Sequence, residues 1–167
     1  MNHQVKELEI SEDAFARLSY GLYLLSVTSE GVDNACILNT VIQVTDEPKR
    51  ILFALGNNTY TASLLHVGAA CCISVLAEDT PFSFFRLFGY SSGRDVQKLT
   101  AENSTPAENG ARYPTDHTVA LIAATVHASI PCGTHTVYLA DVTEARLLSS
   151  KPPLTYAHYQ DRIKGRA

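Results

Sequence analysis

The strongest constraint on this chain is a rhythm. Before residue 100, short β-rich runs recur, each stopped by Gly, Asn, Asp or Pro. YGLYLLSVT (20–28), NACILNTVIQVT (34–45), KRILFAL (49–55) and CCISVLA (71–77) read as strands, with EGVDN turning between the first two. Two longer runs follow, VALIAATVHASI (119–130) and THTVYLADVTEARLL (134–148), with Gly133 in the turn that makes them a hairpin. Helical spacing is confined to short pieces. Ser11 to Ser19 opens with a capping serine and two acids, Glu12 and Asp13, at the end where negative charge is favoured. Thr59 to Val67 stops at Gly68, and Thr80 to Phe88 begins Thr-Pro and stops at Gly89. Thr100 to His117 has no period and reads as a surface loop. Many short strands with few helices predict a mainly β fold, an antiparallel barrel closed or nearly closed, because closure removes exposed strand edges.

At 167 residues the chain has the length of one domain able to bury a core. Its formal charge of −4 offers no concentrated basic face for nucleic acid. Apolar stretches are broken well short of the ~18 residues that a membrane helix needs. The opening MNHQVKELEI lacks the apolar core of a secretory signal, so a cytoplasmic address is expected. The cysteines Cys36, Cys71, Cys72 and Cys132 contain no CxxC spacing, and no metal site is expected from them.

Three polar interruptions are candidates for chemistry. Asn39 and Thr40 break an apolar strand; they fit a strand-end turn or an intra-barrel hydrogen bond, or else a rim offered to a ligand. GNNTYTA (56–62) opens a helix and fits either simple capping or a phosphate seat of backbone N–H groups and Thr hydroxyls. FGYSSGRDVQKL (88–99) is a tight Gly/Ser loop with Arg94 and Lys98 beside it, either a solvated turn or a clamp on phosphate. Together they outline one site for a planar, phosphate-bearing ligand. His135 opens the last strand, where a hydrogen-bonded structural role competes with a catalytic one.

In their order along the chain, SYGLYLLSV (19–27), NACILNTVIQV (34–44), NNTYTASLL (57–65), FGYSSGRDVQKL (88–99), GTHTVYLADV (133–142) and LTYAHYQDRIKG (154–165) resemble the flavin-reductase-like, FMN-binding split-barrel family. The likeness is strongest to its flavoredoxin, ferric reductase and high-molecular-weight rubredoxin branch. The resemblance implies a split, Greek-key β-barrel formed by residues 1–167 as one domain. An arm over about 1–10 and a tail over about 150–167 flank it, and no rubredoxin domain follows. It implies a homodimer holding FMN in a groove at the subunit interface. By the same likeness, Asn39 and Thr40, with backbone of Ile37 and Leu38, line the flavin. Thr61 and Asn57 mark the phosphate-binding helix start, and the loop from Phe88 through Gly89, Ser92 and Gly93 to Arg94 closes over the cofactor. Relatives often carry lysine where this chain has Asn57, which predicts one positive charge fewer on the phosphate.

The activity that the resemblance implies is transfer of electrons from NADH or NADPH through FMN to free flavin, ferric iron or a protein acceptor, with His135 near the nicotinamide or flavin edge. A flavoredoxin-like carrier without efficient nicotinamide oxidation, and a non-catalytic ligand-binding barrel, are the competing readings. In the first two the organic chemistry belongs to the flavin, and the protein supplies binding and orientation.

Overall fold

The structure is a computed structural model and describes residues 10–165. The expected N-terminal arm therefore lies outside the described residues, apart from Ile10. Alternation of buried and exposed residues builds the strands. In β4 (Arg50–Gly56), Ile51, Phe53 and Leu55 point inward while their neighbours are half-buried. β1 (Tyr23–Ser29), β2 (Val32–Leu38), β3 (Val41–Thr45), β5 (Ala70–Leu76), β8 (Thr118–Cys132) and β9 (His135–Leu147) complete an antiparallel sheet in the order β2-β1-β5-β8-β9-β4-β3.

The sheet curls on itself. One cluster of buried side chains takes residues from β1, β2, β4, β5, β8 and β9, including Leu25, Leu38, Phe53, Ile73, Val126 and Ala140. Phe53 and Tyr138 face each other across β4 and β9 with ring centroids 5.3 Å apart. A stacked pair of this kind adds about 0.5–1.5 kcal/mol beyond its burial. The fold is the split barrel that the sequence predicts.

Four local expectations are corrected. The run 34–45 is two strands: β2 ends at Leu38, the chain turns at Asn39 and Thr40, and β3 pairs with β4 at the far end of the sheet order. The polar pair Asn39-Thr40 marks that corner in the sequence, but the apolar residues on either side read as one strand because both halves share the same period. The helix expected over Ser11 to Ser19 shrinks to α1 (Glu12–Phe15), whose Ser11 side chain makes no cap bond and which buries nothing. Without a packed face, so short a helix has little to sustain it. The helix expected over Thr80 to Phe88 starts later, as α3 (Phe82–Phe85), and runs on through a π-helical turn, Arg86–Tyr90. Thr80 does not cap it; its buried hydroxyl donates to the Ala77 carbonyl at 2.6 Å.

The segment 100–117 is not a plain loop. It contains a small hairpin, β6 (Ser104–Pro106) with β7 (Arg112–Pro114), turned at Gly110 with φ of 86°. Ala107, Ala111 and Tyr113 pack with Cys72, Leu121 and Ala123 of β5 and β8. Asn109 pins the hairpin, its Nδ2 donating to the carbonyls of Cys71 and Ala124 at 3.1 and 3.0 Å. The hairpin thus covers the outer barrel wall.

The tail beyond residue 150 is also built in. Leu154 is buried and its N–H donates to the Leu76 carbonyl at 2.7 Å, while Tyr159 packs on Phe85 with centroids 4.6 Å apart. No helix among the described residues is long and apolar enough to cross a membrane.

Candidate functional site

β2, α2 (Tyr60–Leu64) and the loop after α3 enclose a cavity of about 280 Å³. On β2, period-2 geometry puts Asn34 and Cys36 on the same face as Leu38, which belongs to the barrel core. The cavity therefore opens where that interior face reaches the end of the strand.

Asn34 is buried, and its Nδ2 donates to Thr61 Oγ1 at 2.8 Å. This bond ties the strand floor to α2. Thr59 caps α2, its Oγ1 accepting from the Ala62 N–H at 3.1 Å while donating to the Gly56 carbonyl at 3.0 Å. Over the top runs the loop from Phe88 to Arg94. Gly93 is required there. A Cβ on it would lie 2.6 Å from Asn34 Cγ and 2.9 Å from Tyr60 Cδ1, well inside van der Waals contact. Tyr90 fixes the same loop from outside, its hydroxyl 2.9 Å from that of Tyr159 in the tail.

The charge in this cavity is positive and unbalanced. Lys98 is only 4% exposed, and its Nζ donates to the carbonyls of Ala35 and Phe88, both at 3.0 Å. Asn103 holds the lysine's own backbone, donating to the Lys98 carbonyl at 3.0 Å. Burial holds the Lys98 pKa below the ordinary lysine value, with Cys36 working the other way. The Cys36 thiol is pushed up by burial, against a hydrogen bond with Thr61 and the charge of Lys98. Arg94 lies across the Tyr60 ring at 4.9 Å from its centroid. No carboxylate lines the cavity among the described residues.

Of the residues expected from the sequence, Thr61, Phe88, Gly89, Ser92, Gly93 and Arg94 come together around this cavity. The others sit apart from its lining. Ile37 touches the loop, since a Cβ on Gly89 would meet its Cγ1 at 3.3 Å. Leu38 is core, and Asn39 accepts from the Thr40 hydroxyl at 3.1 Å in the corner between β2 and β3. Asn57 is spent on the β8–β9 turn. It donates to the Gly133 carbonyl at 2.9 Å and accepts from the Thr136 hydroxyl at 2.8 Å. Its side chain is thus turned to the hairpin tip. His135 is exposed, pairs in register with Gly56, and has Nδ1 2.9 Å from Thr134 Oγ1.

Sequence reasoning missed Asn34 and Cys36 as lining residues, singled out Asn58, Tyr60 and Ser91 only as parts of the stretches 56–62 and 88–99, and read Lys98 as a charge beside the loop. The polar Asn34 directly before the apolar run Ala35–Leu38 was the available signal. The α2 expectation also changes in kind. The helix has five residues, and its cap already uses the Ala62 N–H, so the dipole of so short a helix is a minor contributor beside two side-chain cations. Among the described residues no cluster could hold a metal ion.

The family described as the flavin reductase like domain matches residues 15–165. The chain is 34% identical over 152 residues to a high molecular weight rubredoxin of Moorella thermoacetica, covering 91% of this chain but only 66% of that protein. It is 32% identical over 154 residues to a ferric-chelate reductase (NAD(P)H) of Archaeoglobus fulgidus, covering 92% of this chain and 91% of the reductase. Among solved structures, an NADH:FAD oxidoreductase of Streptomyces globisporus superposes with a TM-score of 0.77 at 18% identity, over 89% of this chain and 92% of that one. The styrene monooxygenase flavin reductase of Pseudomonas putida superposes with a TM-score of 0.70 at 20% identity, over 85% and 88% of the two chains. At these identities the superpositions speak to the fold.

Proposed function

The chain belongs to the flavin reductase-like domain family, and from that premise we propose that it is an FMN-dependent reductase. In this reading it draws electrons from NADH or NADPH and delivers them to free flavin, ferric iron or a protein acceptor. The observation that carries the reading is the cationic, carboxylate-free cleft walled by Thr61, Phe88 and Arg94, with the buried Lys98 at its base. A buried ammonium without an anion is costly, and a phosphate-bearing ligand relieves the cost. Bound FMN supplies the redox chemistry. The chain's own residues hold the phosphate, with the rings of Tyr60 and Phe88 beside it.

At about 280 Å³ the cavity lies at or below the small end of the ~300–1,000 Å³ range of ligand pockets, so part of a flavin extends beyond it. A second copy of the chain completes the groove in our reading. The corner at Asn39 and Thr40 leads from the cavity strand into edge strand β3, whose Ile42 and Val44 are 56% and 43% exposed and suit a homodimer contact. The free, exposed thiol of Cys132 suits a reducing, cytoplasmic setting.

The test has two stages. Purified protein is mixed with FMN, freed of excess and scanned in the visible range; retained flavin bands are expected, and none would sink resident FMN. The loaded protein is then mixed anaerobically with NADH or NADPH in a stopped-flow instrument. Bleaching within the turnover time marks a reductase, with His135→Ala slowing it at least tenfold if that side chain meets the nicotinamide. Failure to bleach, with fast exchange to a reduced rubredoxin, marks instead a carrier, the reading suggested by the name of the Moorella relative.

A further inference from the structure

The loop over the cleft is fastened from outside by the C-terminal tail, and the two halves of the fastening differ in rigidity. Tyr159 is the fixed half. Leu154 lies between two strand ends, its N–H donating to the Leu76 carbonyl at 2.7 Å and its carbonyl accepting from the Leu22 N–H at 3.1 Å. The Tyr156 N–H donates to the Tyr20 carbonyl at 2.9 Å, and α4 (Tyr156–His158) runs on into a π-helical turn, Tyr159–Ile163. Tyr159 is 7% exposed and packs on the buried ring of Phe85. Tyr90 is the movable half. It ends the π-helical turn before the loop, is 62% exposed, and meets Phe82 edge-on with centroids 5.8 Å apart. Beyond it the loop bonds locally. Ser91 Oγ donates to the Arg86 carbonyl, the Asp95 and Val96 N–H groups to the Ser92 carbonyl, and Gln97 Nε2 to the Leu99 carbonyl. The 2.9 Å contact between the Tyr90 and Tyr159 hydroxyls therefore joins a locally bonded loop to an element fixed in the barrel.

We propose that Tyr159 is a positioning residue that latches this loop through Tyr90, and so sets the rate at which flavin enters and leaves the cleft. The proposal rests on the flavin reading given above. Tyr90 lines the cleft and Tyr159 does not, so the tail acts on a ligand only through the loop. Gly93 rests against Asn34 and Tyr60 across the cleft, so lifting the loop is the way the cleft widens. The latch joins two groups of the chain itself, and it holds the lowered loop equally well with the cleft filled or empty. It breaks only in the lifted form through which a ligand passes. A bond of that kind slows entry and exit alike and leaves affinity alone, whereas a contact to the ligand changes affinity. Burial and the adjacent Tyr90 hydroxyl raise the Tyr159 pKa above the ordinary phenol value, so the group keeps its proton at neutral pH. The latch thus tunes the chain toward a resident flavin and away from one exchanged at each turnover.

The experiment uses the full chain as wild type, Tyr159→Phe, Tyr90→Phe and the double variant. Stopped-flow quenching of FMN fluorescence gives the association and dissociation rates, and hydrogen exchange of the amides over 91–97 reports loop opening without any ligand. Tyr159→Phe keeps the ring on Phe85 and loses one oxygen. It should raise FMN association and dissociation together by about threefold to tenfold, the worth of one hydrogen bond, and leave their ratio within about twofold of wild type. Exchange over 91–97 should quicken by the same factor. The double variant should go no further than Tyr159→Phe, since one bond is lost either way. Unchanged rates overturn the proposal. So does a rise in dissociation alone, which would mean that the Tyr159 hydroxyl supports the bound form and not the lowered loop. A chain that binds no FMN removes the flavin reading and with it the flavin rates; the latch is then decided by exchange over 91–97, and unaltered exchange in Tyr159→Phe refutes it. Should Tyr159→Phe not fold, Tyr90→Phe, on an exposed ring, carries the same comparison with the same refuting results.

Discussion

Replacing Gly93 by alanine isolates the contact between the loop and the strand floor. The new methyl would stand 2.6 Å from Asn34 Cγ and 2.9 Å from Tyr60 Cδ1, so a displacement of about 1 Å is unavoidable. Two relaxations compete. If Asn34 swings away, its bond to Thr61 breaks between two residues that are 2% and 1% exposed, which costs about 1–3 kcal/mol for unsatisfied polar groups. An off-rotamer side chain adds about 0.5–1.5 kcal/mol. If the loop swings out instead, Arg94 loses its place over Tyr60, an exposed cation–π contact of about 0.5–1 kcal/mol. The second route is cheaper because residues 94–97 are exposed and little packs on them. Gly93→Ala should therefore lower the unfolding midpoint by only about 2–4 °C, the shift expected for ~1 kcal/mol in a domain of this size. FMN affinity should fall at least tenfold, because the outer wall of the cavity has moved. Thermal denaturation by circular dichroism and a flavin titration on the same sample give both numbers. A midpoint drop of 8 °C or more with affinity intact would show that Asn34 yields rather than the loop, and the reasoning would fail.

Asn109→Ala removes three hydrogen bonds, two to the barrel wall and one from the Ala111 N–H. It should cost about 1–3 kcal/mol in denaturant unfolding and leave flavin affinity unchanged, since the hairpin covers the wall away from the cavity. The Asp141 carboxyl is held below its ordinary 3.8, chiefly by the hydrogen bond from Arg50 at 2.6 Å, with His127 adding. Its contribution to stability is therefore complete above the unfolded value and is lost as pH falls below 3.8 through the lowered folded value. Asp141→Asn should flatten that part of the acid unfolding curve, and an unaltered curve would exclude the carboxyl as its source. Alkylation with iodoacetamide should modify exposed Cys132 first. Burial pushes Cys71 up to about 12 and raises Cys72 as well, so both should stay unmodified until the protein unfolds. Cys36, which lines the cavity, should react slowly and more slowly still with FMN present; peptide mass mapping reads all four sites.

What was legible in the sequence is what depends on near neighbours in the chain. The period-2 pattern of Arg50–Gly56, the turn at Gly133 and the cap at Thr59 each follow from a few adjacent residues, and each stands in the structure as expected. The Phe88–Arg94 loop was legible in the same way, from its glycines and serines. The tertiary structure decided which polar residues face one another. Asn34 and Thr61 are 27 positions apart, and Lys98 meets the Ala35 carbonyl across 63. Only the curl of the sheet brings them together, and it also divides the run 34–45 between the two ends of the sheet order. The same lysine in sequence is a solvated charge or a buried one according to what folds over it. Asn57 and Lys98 differ in their surroundings for that reason: the β8–β9 turn occupies one side chain, and the barrel end buries the other.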